Sequence, residues 1–411
     1  MREALEEGGV MDESPGTEPR RLWHSPVAVL AGALLFNLGQ GVLRPTMPLY
    51  LQQVFSANYR MVTLIPVAFG IGKWVASLPT GYLLDRLGRR RLMTGGLILI
   101  ALGDLGSAMT SVYGVFLILR AMGGVGWAAF STVATTTMVD QSARRGRAVS
   151  LLLMSETLGL LFGSTAGGWL YQGVSVVSPF VFEAACMLVA VAAFAIEPRN
   201  ASTVSPRSAP AFAWLDWRLL RAVLHIPGVL LMSLSNAVLI AIQTGVLVFL
   251  FPLYLVEQGG LRPEMVGLVV SLSVLGRLLG LWLAGNASDR WGRVRVFVPG
   301  LLVCAALLGS LPLVTHPVAL GFWSLAIGVG AGSVAGLPTA LIGDRVGPPL
   351  QGVAVGWLRT VTDTGHVLGP IVMGTLADAV QLTTPFLFAA ILLVAVAWQC
   401  RRRAIALSPS T

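Results

Sequence analysis

The sequence predicts an all-α membrane protein: twelve transmembrane helices in two pseudo-symmetric six-helix bundles. Three observations carry this expectation: long apolar runs, a one-sided placement of basic residues, and an internal repeat at a fixed offset. Of 411 residues, 55% are hydrophobic and only 11% are charged, where a soluble domain carries about a quarter. Such a chain lacks the polar side chains to cover a water-facing surface. A helix of about 20 apolar residues crosses the hydrocarbon because it satisfies its own backbone hydrogen bonds.

Residues 1–25 are polar and acid-rich, without a basic start before a short apolar core, and read as a cytoplasmic tail. Six apolar runs follow at 26–50, 60–84, 92–112, 113–138, 147–173 and 177–197, so the N-terminal bundle is expected over 26–197. A Pro/Ser-rich stretch, 198–222, reads as the cytoplasmic linker. Six more runs, at 226–255, 263–288, 294–314, 316–341, 351–377 and 382–400, place the C-terminal bundle over 223–403, with a tail at 404–411. The 47 glycines and 23 prolines suit membrane helices that pack closely and bend. Cys186, Cys304 and Cys400 show neither disulfide nor metal spacing.

The net charge of +9 is a topology signal. Of 28 Lys and Arg, 21 fall in the tails, the linker and loops on one predicted side, five lie inside the spans, and only Arg60 and Arg262 fall in loops on the other. The positive-inside rule then puts both termini in the cytoplasm of a cell inner membrane, and nucleic-acid binding is not expected. The lipid bilayer is the expected partner of the apolar surface, and a monomer the expected state.

The chain matches itself at an offset of 204. Pro48-Leu49-Tyr50-Leu51 recurs as Pro252-Leu253-Tyr254-Leu255, and Gly124-Val125-Gly126 as Gly328-Val329-Gly330. Gly81, Asp85, Arg86, Gly88, Arg89 and Arg91 recur as Gly285, Asp289, Arg290, Gly292, Arg293 and Arg295. Beyond a two-residue insertion the offset is 206, pairing Gly159 with Gly365 and Gly163 with Gly369. Gly-rich apolar sequence matches itself loosely anywhere, but the charged matches hold one register. Two repeats of six spans each are parallel repeats about an axis along the membrane normal.

Gly81 to Met93, GYLLDRLGRRRLM, resembles the loop 2–3 signature of the major facilitator superfamily, and Gly285 to Phe297 is its partial copy. The resemblance implies a conformational latch: Asp85 is its acid and Arg89 the supporting base, with Gly81, Arg86 and Gly88, and with Asp289, Arg290, Gly292 and Arg293 in the copy. Arg120-x-x-Gly123-Gly124-x-Gly126 is similar to the family's R-x-x-Q-G motif, with Gly123 where Gln is usual. Gly159-x-x-x-Gly163-Ser164-x-x-Gly167-Gly168 resembles the antiporter signature, with Ser164 replacing Pro. Gly39, Gly41, Pro45 and Pro48 follow a pattern seen in twelve-helix drug:proton antiporters. Small residues four apart also serve plain helix packing.

Charges at membrane depth are costly and normally face a cavity or a partner. Lys73, the only lysine, lies 12 residues before Asp85, about 18 Å along a straight helix and near the midplane. Its repeat mate is Arg277. The two cations suit an anionic solute, unless a fixed acid neutralises each, with Asp104 the expected partner of Lys73. Arg359, Asp363 and His366 share one helical face. Asn37, Gln40 and Arg44 in the first span, and Asn236 and Gln243 in the seventh, complete the candidate substrate-binding set with Lys73, Arg277 and Asp363. Asp104, Glu156, Asp363 and His366 are the candidate proton-coupling groups.

These readings point to a secondary active transporter that moves a small solute by alternating access, most simply a drug or metabolite:proton antiporter working as an efflux pump. The alternative is uptake or exchange of a small organic anion held by Lys73 and Arg277. No nucleophile–base spacing, metal-ligand cluster or Walker-type phosphate loop occurs, so no enzyme, no cofactor, no metal and no ATP-driven pump is expected.

Overall fold

A computed structural model describes residues 26–141, 145–196 and 217–403. The expected tails, most of the linker, and the surroundings of Gly81 and of the Asp85 side chain lie outside the described residues. Among the described residues the chain is helical throughout, without strands. The N-terminal half consists of α1 (Pro26–Phe55), α2 (Tyr59–Leu87), α3 (Arg89–Met109), α4 (Tyr113–Gln141), α5 (Arg145–Gly173) and α6 (Ser178–Ile196). The C-terminal half begins with a short helix, α7 (Trp217–His225), so the end of the expected linker is helical. Its seventh crossing is α8 (Val229–Ile242), a π-helical stretch over Gln243–Leu250, and α9 (Phe251–Glu257). Then come α10 (Pro263–Trp291), α11 (Arg293–Ser310), a tenth crossing made of α12 (Pro317–Ala335) and α13 (Leu337–Arg345), α14 (Pro348–Ala379) and α15 (Thr384–Arg402).

Eight crossings among the described residues are long and apolar enough to span a membrane on that measure alone. Of the other four, α2 and α14 carry ionisable residues at depth, and the apolar part of α6 is short. Large apolar side chains such as Trp169, Trp282 and Phe322 stand exposed on the outer surface, where lipid accepts them and water would not.

The repeat is realised atom by atom. Tyr50 Oη donates to the Ser107 carbonyl at 3.2 Å, and Tyr254 Oη to the Leu311 carbonyl at 2.9 Å. Tyr50 also packs on Phe180 with ring centroids 4.8 Å apart, and Tyr254 on Phe386 at 5.3 Å. Gly88 and Gly292 close the paired α2–α3 and α10–α11 turns with φ of 78° and 90°, a region that glycine enters without steric cost. At the α2–α4 contact, a Cβ on Gly124 would meet the Phe69 and Lys73 backbone; at α10–α12, one on Gly328 would meet Ser273 and Arg277. Gly159, Gly163 and Gly167 bring α5 against the α1 backbone, while Gly168 meets Pro263 and Glu264 of the other half. These motif glycines therefore act as close-packing positions.

Candidate functional site

A cavity of about 250 Å³ lies between the halves, walled by α1, α2 and α4 on one side and by the π-helical stretch and α14 on the other. Gln40, Arg44, Lys73, Gln243, Asp363 and His366 all reach it, together with Arg120 and the unanticipated Trp127 and Thr244. The π-helical turn widens the seventh crossing where Gln243 and Thr244 face the cavity, a common use of such turns.

Lys73 Nζ lies 3.2 Å from Asp363 Oδ1 and 4.7 Å from the centroid of the Trp127 ring. This corrects the expected pairing. Asp104 is taken by Arg120, whose Nη2 lies 2.6 Å from Asp104 Oδ1 and 2.9 Å from Ser107 Oγ. Arg120 is the shorter reach from Asp104, since α3 and α4 are packed neighbours. The Lys73–Asp363 pair instead joins the two halves. His366 stands beside it, its buried Nδ1 without a hydrogen-bond partner. Arg359 is exposed and takes no part in the cavity, although it shares a face with Asp363 in helical projection.

Arg277 does not share this cavity with Lys73. It lines an adjoining one of about 70 Å³ with Asn236 and Gln243, so Gln243 is the wall common to both. Arg44 lines the larger cavity and Arg277 the smaller one beside it, and neither has an acid partner among the described residues. Asn236 donates to Thr362 Oγ1 at 2.7 Å. Asn37 donates to the Ala33 carbonyl at 3.0 Å, within α1, and lines neither cavity. Glu156 is half-buried on α5, outside both cavities.

Glu183, an acid in the second turn of apolar α6, was legible only as an ionisable residue in a membrane span. It is fully buried and accepts a short hydrogen bond from Gln40 Nε2.

At the end opposite the basic loops, hydrogen bonds tie the halves together. Gln52 Nε2 donates to Glu257 at 2.7 Å and Tyr59 Oη to the same carboxylate at 2.5 Å. Asp378 of α14 accepts from the backbone N–H of Tyr59 and of Arg60, both at 2.9 Å, and so caps the N-terminus of α2. At the basic end, Arg293 holds Asp344 through Nε and Nη2 at 2.5 and 3.0 Å, within its own half, and Arg89 Nη1 reaches Thr137 at 3.4 Å. Asp289 and Arg290 are exposed there.

The chain matches the Major Facilitator Superfamily over residues 29–262 and again over 234–406. It is 23% identical over 389 residues to Multidrug resistance protein 2 of Bacillus subtilis (strain 168), covering 90% of this chain and 92% of that one. Among solved structures, the nucleoside transporter NupG superposes with a TM-score of 0.73 at 14% identity, over 92% of this chain and 98% of that one. A D-xylose-proton symporter gives 0.71 at 17%, over 91% and 96%. At those identities the two structures speak for the fold alone. The chain belongs to the major facilitator superfamily and is a multi-pass membrane transporter.

Proposed function

We propose that this protein is a proton-coupled exporter, exchanging a drug or metabolite for protons by alternating access, in a cell inner membrane with both termini cytoplasmic. The observation that carries the reading is the Lys73–Asp363 pair, because it crosses between the halves inside the central cavity. Rocking one half against the other stretches that contact. A proton on Asp363, or a solute group beside Lys73, replaces what each charge loses. Gln40, Arg44 and Gln243 are the proposed solute contacts, with Asn236 tying α8 to α14 behind them and Asn37 bonded within α1. Asp363 and His366 are the proposed proton groups, with Glu156 a peripheral candidate. The boundaries at 26–197 and 223–403 serve as the rocking units, and the loop signatures around Asp85 and Asp289 as latches of the opposite state. The similarity to a multidrug resistance protein favours export.

A second reading has its own observation. Arg44 and Arg277 are two cations without an acid partner among the described residues, which favours a small organic anion as cargo. Uptake in proteoliposomes, with and without an imposed pH gradient, separates the readings over a panel of lipophilic cationic dyes, nucleosides and small carboxylates. Gradient-dependent movement of dyes supports drug antiport, and gradient-independent exchange of carboxylates supports the anion reading. Movement of none of the panel would refute both as stated.

A further inference from the structure

Behind the cavity wall sits a cluster with more acid than base. Asp104 on α3 is 1% exposed, Glu183 on α6 is 0% exposed and Arg120 on α4 is 4% exposed. Each carboxylate spends one oxygen on a known donor: Asp104 Oδ1 on Arg120, and Glu183 Oε1 on Gln40. Asp104 Oδ2 and Glu183 Oε2 are both buried with no hydrogen-bond partner, although the two carboxyl groups lie within hydrogen-bonding reach of each other. Two acceptors cannot bond without a hydrogen between them, and a buried unpaired anion is among the costliest things a fold holds.

We propose that Asp104 and Glu183 share one proton, which bridges their two orphan oxygens and leaves the cluster neutral with Arg120. Two carboxylates confined together retain a proton that neither keeps alone, and they titrate as a pair. Among the described residues no second cation contacts the two acids. From α1 the neighbours are Gln40 and Tyr50, from α3 Ser107, from α4 Arg120, and from α6 Cys186; Glu156 on α5 has no contact with the pair. Phe116 and Phe180 wall the rest, their centroids 5.6 and 5.5 Å from the Arg120 guanidinium.

The fold itself does not call for this cluster. At the repeat-related positions the C-terminal half buries Leu308, Ser324 and Ala389 instead, and Ser324 satisfies itself on the Val269 carbonyl at 2.6 Å. The acids are thus additional to what packs such a bundle. Both donors that hold them, Gln40 and Arg120, also line the central cavity, so its occupancy and the shared proton influence each other by linkage. That coupling role rests on the proton-coupled reading above; the proton itself does not.

The test is the carboxyl infrared spectrum of the purified full-length protein in lipid nanodiscs at neutral pH, in H₂O and D₂O. The expected result is a protonated-carboxyl C=O band that shifts in D₂O, vanishes in both Glu183→Gln and Asp104→Asn, and persists in Asp363→Asn. A wild-type spectrum without that band overturns the proposal, as does a band surviving in either cluster variant. If the cluster variants do not stay monodisperse, the wild-type protein titrated upward from neutral pH decides. A band lost at the first alkaline step overturns the proposal, and one that resists supports it. Gradient-driven transport is scored separately: its absence with the band in place refutes the antiport reading and leaves the shared proton standing.

Discussion

Where the N-terminal half buries Asp104, Arg120 and Glu183, the C-terminal half at the same register buries Leu308, Ser324 and Ala389. Around these positions the scaffolds agree closely: the tyrosine-to-carbonyl bond, the tyrosine–phenylalanine contact, the positive-φ glycine and the glycine at the helix crossing all recur. The cations at the paired midplane positions also differ in their fate. Lys73 is neutralised across the interface by Asp363, while Arg277 is left with amide neighbours. The first crossing is α-helical through Gly41, and the seventh is π-helical through Gly245. What both halves keep is backbone geometry, since either bundle must close its helices to the same distance. What they do not share is the buried acid–arginine cluster and the acid beside the midplane cation, because charge at depth is retained only where something uses it.

The largest expected effect tests the shared scaffold. Gly124→Leu and Gly328→Leu each push a side chain into the backbone of the neighbouring helix, at a cost of about 3 kcal/mol or more. Neither variant should give monodisperse protein on size exclusion, and a well-behaved Gly328→Leu alone would break the equivalence of the halves.

Next comes the charged cluster. Arg120→Ser, which installs the C-terminal residue alone, strands the acids and should cost about 3–5 kcal/mol, read as a lower melting temperature. The triple change Asp104→Leu/Arg120→Ser/Glu183→Ala copies the apolar half and should be as stable as wild type or up to about 4 kcal/mol more stable. A triple variant less stable than Arg120→Ser would mean that the cluster is structural.

A smaller difference is expected between the repeat-related cations. Lys73→Met strands Asp363 and should lower stability by about 1.5 kcal/mol, recovered in Lys73→Met/Asp363→Val. Arg277→Met strands no acid among the described residues and should leave the melting temperature unchanged. Equal losses in the two single variants would sink this contrast.

The smallest effect concerns the clasp between the halves. Asp378→Asn removes the charge facing the N-terminus of α2, worth about 1 kcal/mol. External labelling of a cysteine placed at Val248, on the cavity wall, should rise by about fivefold. An unchanged labelling rate would show that the clasp does not hold the halves closed.

The sequence by itself determined the fold class, the repeat and which polar residues stand at membrane depth; Gln40, Arg44, Lys73, Gln243, Asp363 and His366 of that set line the cavity, while Asn37 does not. Length, hydropathy and a fixed offset are local quantities, and a lone polar residue in an apolar span stands out without a structure. Partnership was another matter. Lys73 and Asp363 lie 290 positions apart, and the sequence pointed instead to Asp104, which α3 and α4 bring to Arg120. Glu183 carried no motif, and Arg359 shared the face of Asp363 yet stayed outside the cavity. Which charges meet depends on helix rotation and on packing between distant spans. These are set by close-approach glycines and by the π-helical turn at Gln243, not by hydropathy. Only the tertiary structure decided those pairings, because the energy of a buried charge depends on what lies across the helix interface rather than along the chain.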